Sequence, residues 1–141
     1  MPDEAADNMV FVVTGASLRA ETMDRPLAYR VKLAVDERLK DAEDWQCAVI
    51  SDIWYLNNEP FARQPTISVG GPGVNALSAF LYERLPNALA VDNVLVIQMD
   101  PTLKDRRCAV WGMDHDMTVE AVDTFLQKGY LDRFLCGLTT V

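Results

Sequence analysis

The sequence predicts an α/β protein: a three-layer domain with a mixed, mostly parallel sheet and helices on both faces. Three observations carry this reading. Apolar runs of strand length alternate with helical spacing along the chain. The first strand, helix and second strand form a βαβ unit, whose crossover is right-handed in nearly all proteins. A third strand ends in glycines where another helix begins, in TISVGGPGVNALSAFLYERL. A chain of 141 residues suits one core and buries roughly two-thirds of the surface its unfolded form exposes. Residues 9–141 are therefore expected to be a single domain, and the acidic, polar residues 1–8 a disordered N-terminus.

Each element follows from local chemistry. Residues 9–14 (MVFVVT) are a continuous apolar run closed by Gly15, as in a strand covered on both faces. Residues 15–23 read as a polar loop. Asp24 ahead of Pro26 starts a helix, with Leu27, Val31, Ala34, Val35, Leu39 and Ala42 at helical spacing, ending near residue 43. Residues 46–51 (QCAVIS) form the second strand. Residues 51–65 hold Trp54, Tyr55 and Phe61 among asparagines and prolines and read as a short strand and loop packed on the sheet edge. Residues 66–69 form the third strand. The helix after the glycines puts Leu77, Phe80, Leu81 and Leu85 on one face and stops at Pro86.

Residues 88–91, 94–99 and 107–111 are three short strand patterns, separated by Asp92-Asn93 and by a polar stretch, and predict an antiparallel meander. Its last strand then runs parallel to the third strand of the fold, so the turn after Trp111 faces the GGPGVN loop. A final helix is expected from about Thr118, burying Val119, Val122, Phe125 and Leu126 and stopping at Gly129, with an apolar tail packed behind it.

Composition narrows the function. A formal charge of −8 with no basic cluster beyond Arg106 and Arg107 argues against nucleic acid and acidic membrane as partners. The apolar block at residues 9–13 is too short for a secretory core or a spanning helix, so the expected compartment is the cytoplasm. Cys47, Cys108 and Cys136 are odd in number, the first two within strand-like runs, and none lies at a glycine turn where a thiolate is stabilised.

Ligands of open α/β sheets bind beyond the carboxyl ends of parallel strands. The amides of Gly70, Gly71 and Gly73, with the positive end of the following helix, suit a small anionic ligand there, with Asn75 as a side-chain donor or as a helix cap. Asp114, His115 and Thr118 would complete the site from the facing turn, and Asp52 and Asp100 also end strands, where carboxylates gather round a cation or a general base. No cofactor is expected. VVTGAS at residues 12–17 resembles the opening of short-chain dehydrogenases, but Arg19, Ala20 and Glu21 follow where the pyrophosphate-binding glycine spacing belongs; GGPGVN lacks the lysine and hydroxyl residue of a P-loop. No metal set stands out either.

ISVGGPGVNALS, followed after the meander by AVWGMDHDMTVEAVDTFL, resembles a strand–glycine–helix module of the form VGGPxxN and then GxDxxxTxxAxxxL in archaeal surface-layer proteins and related uncharacterised proteins. The resemblance spans residues 66–126. It implies that Gly70, Gly71, Pro72 and Asn75 face the turn containing Gly112, Asp114 and Thr118. Neither a secretion signal nor a wall anchor is expected from these residues, a departure from that family, so the resemblance implies architecture rather than a surface-layer role. Two functions are expected: foremost a non-catalytic assembly or partner-binding module, a homo-oligomer through Trp54, Tyr55 and Phe61; alternatively a binding protein or enzyme for a small anion at GGPGVN.

Overall fold

A computed structural model of the protein describes residues 8–42, 44–91, 94–136 and 138. The expected disorder of residues 1–7, the turn at Asp92-Asn93, the helix end at Glu43 and the last residues of the tail lie outside them. In chain order the elements are β1 (Met9–Thr14), α1 (Leu18–Met23), α2 (Arg25–Arg38), β2 (Gln46–Ser51), α3 (Asp52–Leu56), a 3-10 turn (Glu59–Arg63), β3 (Thr66–Val69), α4 (Ala76–Tyr82), β4 (Asn87–Val91), β5 (Leu95–Met99), β6 (Arg107–Gly112), α5 (His115–Gln127) and α6 (Tyr130–Leu135).

The strands make one six-stranded sheet in the order β2-β1-β3-β6-β5-β4. The pairs β1–β2, β1–β3 and β3–β6 are parallel, whereas β5–β6 and β4–β5 are antiparallel. The sheet is therefore mixed and mostly parallel, as the alternating pattern predicts.

Side chains alternate across each strand and divide the core into two layers. On one face Val10, Val12, Ile67, Val69 and Val110 meet Leu27, Val31 and Val35 of α2, Val122 and Phe125 of α5, and Leu131 and Phe134 of α6. On the other, Phe11, Val13 and Ala109 meet Tyr55 of α3 and Leu77 and Leu81 of α4. β3 shows this second face two hydroxyls, and both are matched: Thr66 Oγ1 lies 3.0 Å from the Tyr55 hydroxyl and Ser68 Oγ lies 2.7 Å from Ser78 Oγ. Buried hydroxyls paired in this way avoid the cost of leaving them unbonded.

Several local expectations are corrected. Residues 18–23 are helical rather than loop: Ser17 Oγ accepts the Ala20 amide at 3.2 Å, and with Ala20 alone buried the helix carries no apolar stripe to reveal it. α2 ends at Arg38, because Leu39 leaves helical geometry while still burying its side chain; the apolar spacing outlasts the helix. Beyond Ser51, which ends β2, residues 52–65 contain no strand. Ser51 Oγ accepts the Trp54 amide at 3.2 Å and starts α3, and Pro60 sits in the first turn of the 3-10 segment. Phe80 turns outward, with the Arg84 guanidinium 3.7 Å from its ring centroid. α5 starts at His115, earlier than Thr118, since Asp114 caps it by accepting the Met117 amide at 2.9 Å; Ala121 takes a buried place while Val119 and Leu126 are half-buried.

Candidate functional site

The strand order reverses between β1 and β3, whose following helices pack on opposite faces of the sheet. The GGPGVN loop occupies that crevice. Gly70 takes φ +112°, a left-handed conformation that favours glycine, and its amide donates to Val110 O at 3.1 Å. The chain then turns tightly, with Val74 N and Asn75 N both donating to Gly71 O. Gly15, at the end of β1, packs directly beneath: a Cβ there would lie 1.8 Å from the Val74 carbonyl oxygen.

Asn75 is 1% exposed and wholly engaged. Its Oδ1 accepts the Leu77 and Ser78 amides at 2.9 and 3.2 Å, and its Nδ2 donates to Val13 O and Val69 O at 3.1 and 3.0 Å. Of the two roles the sequence offers, the structure assigns the helix cap and removes the ligand donor. The remaining first-turn amide, that of Ala76, donates to Asp52 Oδ2 at 2.8 Å. The anion at the start of α4 is the chain's own Asp52 carboxylate, so the expected docking of an external anion there is corrected.

A different hollow lies on the other side of the loop. Gly71 stands against the Trp111 ring and the Gly112 carbonyl, 3.6 and 3.7 Å from where a Cβ would be, so the two glycine-bearing turns do face one another. Between them and the starts of α2 and α5 opens a cavity of about 340 Å³, lined by Arg19, Met23, Asp24, residues 71–74 and 111–115, and Thr118.

Thr118 and Asp114 are spent locally. Thr118 Oγ1 accepts the Gly112 amide at 3.1 Å and donates to Asp114 O at 2.9 Å. His115 is different: its Nδ1 is buried and bonds no described residue. The amides of Gly71 and Gly73 also bond no described residue, in contrast to that of Gly70.

The most unusual group in the cavity is Asp24. It is 7% exposed, and its carboxylate accepts no hydrogen bond from a described residue, although it stands at the start of α2. Burial pushes its carboxyl above the usual range, partly offset by the nearby positive charges of His115 and Arg19. Gly70 makes room for it, since a Cβ there would lie 2.8 Å from Asp24 Oδ2. Arg19, also on the wall, forms no ion pair among the described residues, nor a hydrogen bond to one.

The structure thus brings Gly71, Gly73, Asp114, His115 and Thr118 to one cavity, sets Gly70 beside it, and separates Asn75 from it. Sequence reasoning missed Asp24, Arg19, Met23 and Trp111. No local signal marks Asp24, because an aspartate just before a helix-starting proline ordinarily reads as a cap. The strand-ending carboxylates do not gather: Asp52 holds α4, while Asp100 accepts Thr102 and Asp105 amides in a turn at the opposite end of the sheet. Among the described residues no group of three or more His, Cys, Asp or Glu side chains is placed to hold a metal ion. Burial pushes the Cys47 thiol up to about 12 and that of Cys108 well above its ordinary value, so neither supplies a thiolate.

No protein-family model matches the chain, and no curated protein matches it. No helix among the described residues is long and apolar enough to cross a membrane.

Proposed function

We propose that the protein is a small-molecule-binding domain whose ligand occupies the cavity between the starts of α2 and α5. One observation carries the reading: a buried carboxylate, Asp24, without a hydrogen-bond partner among the described residues, opening onto a cavity of about 340 Å³. Leaving such a group unmatched costs stability, and arrangements of this kind concentrate at functional sites. The likeness to surface-layer modules is carried over as architecture alone. The compartment we assign is the reducing cytoplasm, since Cys47 and Cys108 are free thiols inside the core.

The Asp24 carboxyl is raised, so its stabilising contribution is present below pH 3.8 and is lost as pH rises through the folded-state value. Asp24→Asn is therefore expected to raise the melting temperature at pH 7, with the gap to wild type closing as pH falls toward 4. A variant that melts lower at pH 7 would show that the carboxylate is matched by a protein donor, and the reading would lose its support. The ligand itself is sought by a thermal-shift screen of a fragment library on both proteins. A ligand at a hundred times its dissociation constant adds about 2.7 kcal/mol, and the Asp24→Asn variant should lose that shift. A library with no hits on the wild type overturns the proposal.

Assembly is a second reading, favoured by the exposure of Ile53, Trp54 and Leu56 on α3 at 58, 56 and 44%. Of the aromatic trio expected at such an interface only Trp54 is well exposed, however: Tyr55 is buried on Thr66, and Phe61 is half-buried, its ring 4.6 Å from that of Phe11 and 5.8 Å from that of Trp54, centroid to centroid. If α3 joins two copies, the wild type sediments as a dimer and Trp54→Ala as a monomer; a monomeric wild type at high micromolar concentration removes this reading.

A further inference from the structure

We propose that the occupant of this cavity is a compact zwitterion of the amino-acid type, its ammonium group on the Asp24 carboxylate and its acid group on the Arg19 guanidinium. This rests on the cavity being the ligand site. Two opposite charges line one hollow and stand near enough to influence one another, yet they form no ion pair with each other or with any other described residue. A single molecule carrying both signs fits between them.

Each simpler ligand leaves a charge unmet. A plain amine on Asp24 leaves the Arg19 guanidinium on the same wall without a counter-charge, because the other carboxylate there, Asp114, is spent on the cap of α5. A plain acid on Arg19 faces Asp24, which would have to take up a proton or remain desolvated beside a second anion. The zwitterion meets both demands. The unbonded amides of Gly71 and Gly73 add polar partners on the same walls. Met23, Pro72 and Val74 line the rest, so a short apolar skeleton is favoured between or beside the two charged groups. A cavity of about 340 Å³ lies at the lower end of the range for small-molecule sites, which limits the ligand to metabolite size.

The test is calorimetric titration of the full chain with alanine, β-alanine, γ-aminobutyrate, leucine and methionine, each beside the amine and the acid of the same skeleton. We expect at least one zwitterion to bind at least tenfold more tightly than both of its single-charge counterparts. Asp24→Asn and Arg19→Gln should each weaken it at least tenfold. Arg19 is exposed, so its substitution leaves the fold intact and keeps the experiment decisive even if Asp24→Asn alters the cavity. An amine or an acid that binds as tightly as its zwitterion overturns the inference, as does binding insensitive to Arg19→Gln. Silence from every zwitterion, with fragment hits that depend on Asp24, overturns it while leaving the cavity as the ligand site. Silence in both experiments ends both.

Discussion

Asn75→Ala is expected to lower the free energy of unfolding by about 3–7 kcal/mol, the sum of a lost helix cap at about 1 kcal/mol and two buried carbonyls left unmatched at about 1–3 kcal/mol each. The side chain joins three parts of the fold. It caps α4 through Leu77 and Ser78, and it ties that cap to the carboxyl ends of β1 and β3 through Val13 O and Val69 O. With the residue 1% exposed, water does not readily replace it. Asn75→Asp keeps both acceptor contacts but sets a carboxylate against the two carbonyl oxygens, so it should also destabilise. Denaturant unfolding measures both variants. A loss under about 1 kcal/mol for Asn75→Ala would show that these four contacts are not held in solution.

Gly15→Ala is expected to cost about 3 kcal/mol or more, because the added carbon would lie 1.8 Å from the Val74 carbonyl oxygen, with Ala20 Cβ at 3.1 Å on another side. Backbone, rather than a flexible side-chain tip, is what it strikes. Relief requires the GGPGVN loop to lift from the end of β1, which would strain the Asn75 contacts as well. Gly73→Ala is the control: nothing lies within 4 Å of its Cβ position, so the change should stay within about 0.5 kcal/mol. Equal melting temperatures for the two variants would refute the packing of the loop over β1.

These substitutions separate what is local in the loop from what is not. That residues 66–69 form a strand and Asn75 caps a helix is legible from neighbours in the chain: β-branched residues, glycines, an asparagine, then apolar spacing of three and four. The meander is legible for the same reason, and the antiparallel β4–β5 and β5–β6 pairs bear it out. Elements without an apolar stripe were not legible. α1 buries Ala20 alone and α3 only Asp52 and Tyr55, so hydrophobic periodicity carries no sign of either.

The candidate site was half legible. Gly71, Gly73 and the turn at Gly112 to Thr118 announce themselves as glycine-bearing strand ends, and the parallel alignment of β3 and β6 makes them neighbours. Whether their polar groups are free was not legible. Asn75 is consumed by Val13 and Val69, and the start of α4 by Asp52, which reaches the Ala76 amide from 24 residues earlier in the chain. Conversely, Asp24 has the sequence context of a cap but makes no capping bond.

The sequence by itself determined the elements with strong local patterns, the α/β class and the acidic surface. Those properties depend on residues a few positions apart, through backbone sterics and the period of apolar side chains. Tertiary structure alone decided the site. Asp24 and His115 lie 91 positions apart and become neighbours only because the strand order puts the starts of α2 and α5 on one face at one end of the sheet. Whether a polar group is spent or open depends on which distant backbone groups reach it once the core closes, and that is a matter of packing rather than of pattern.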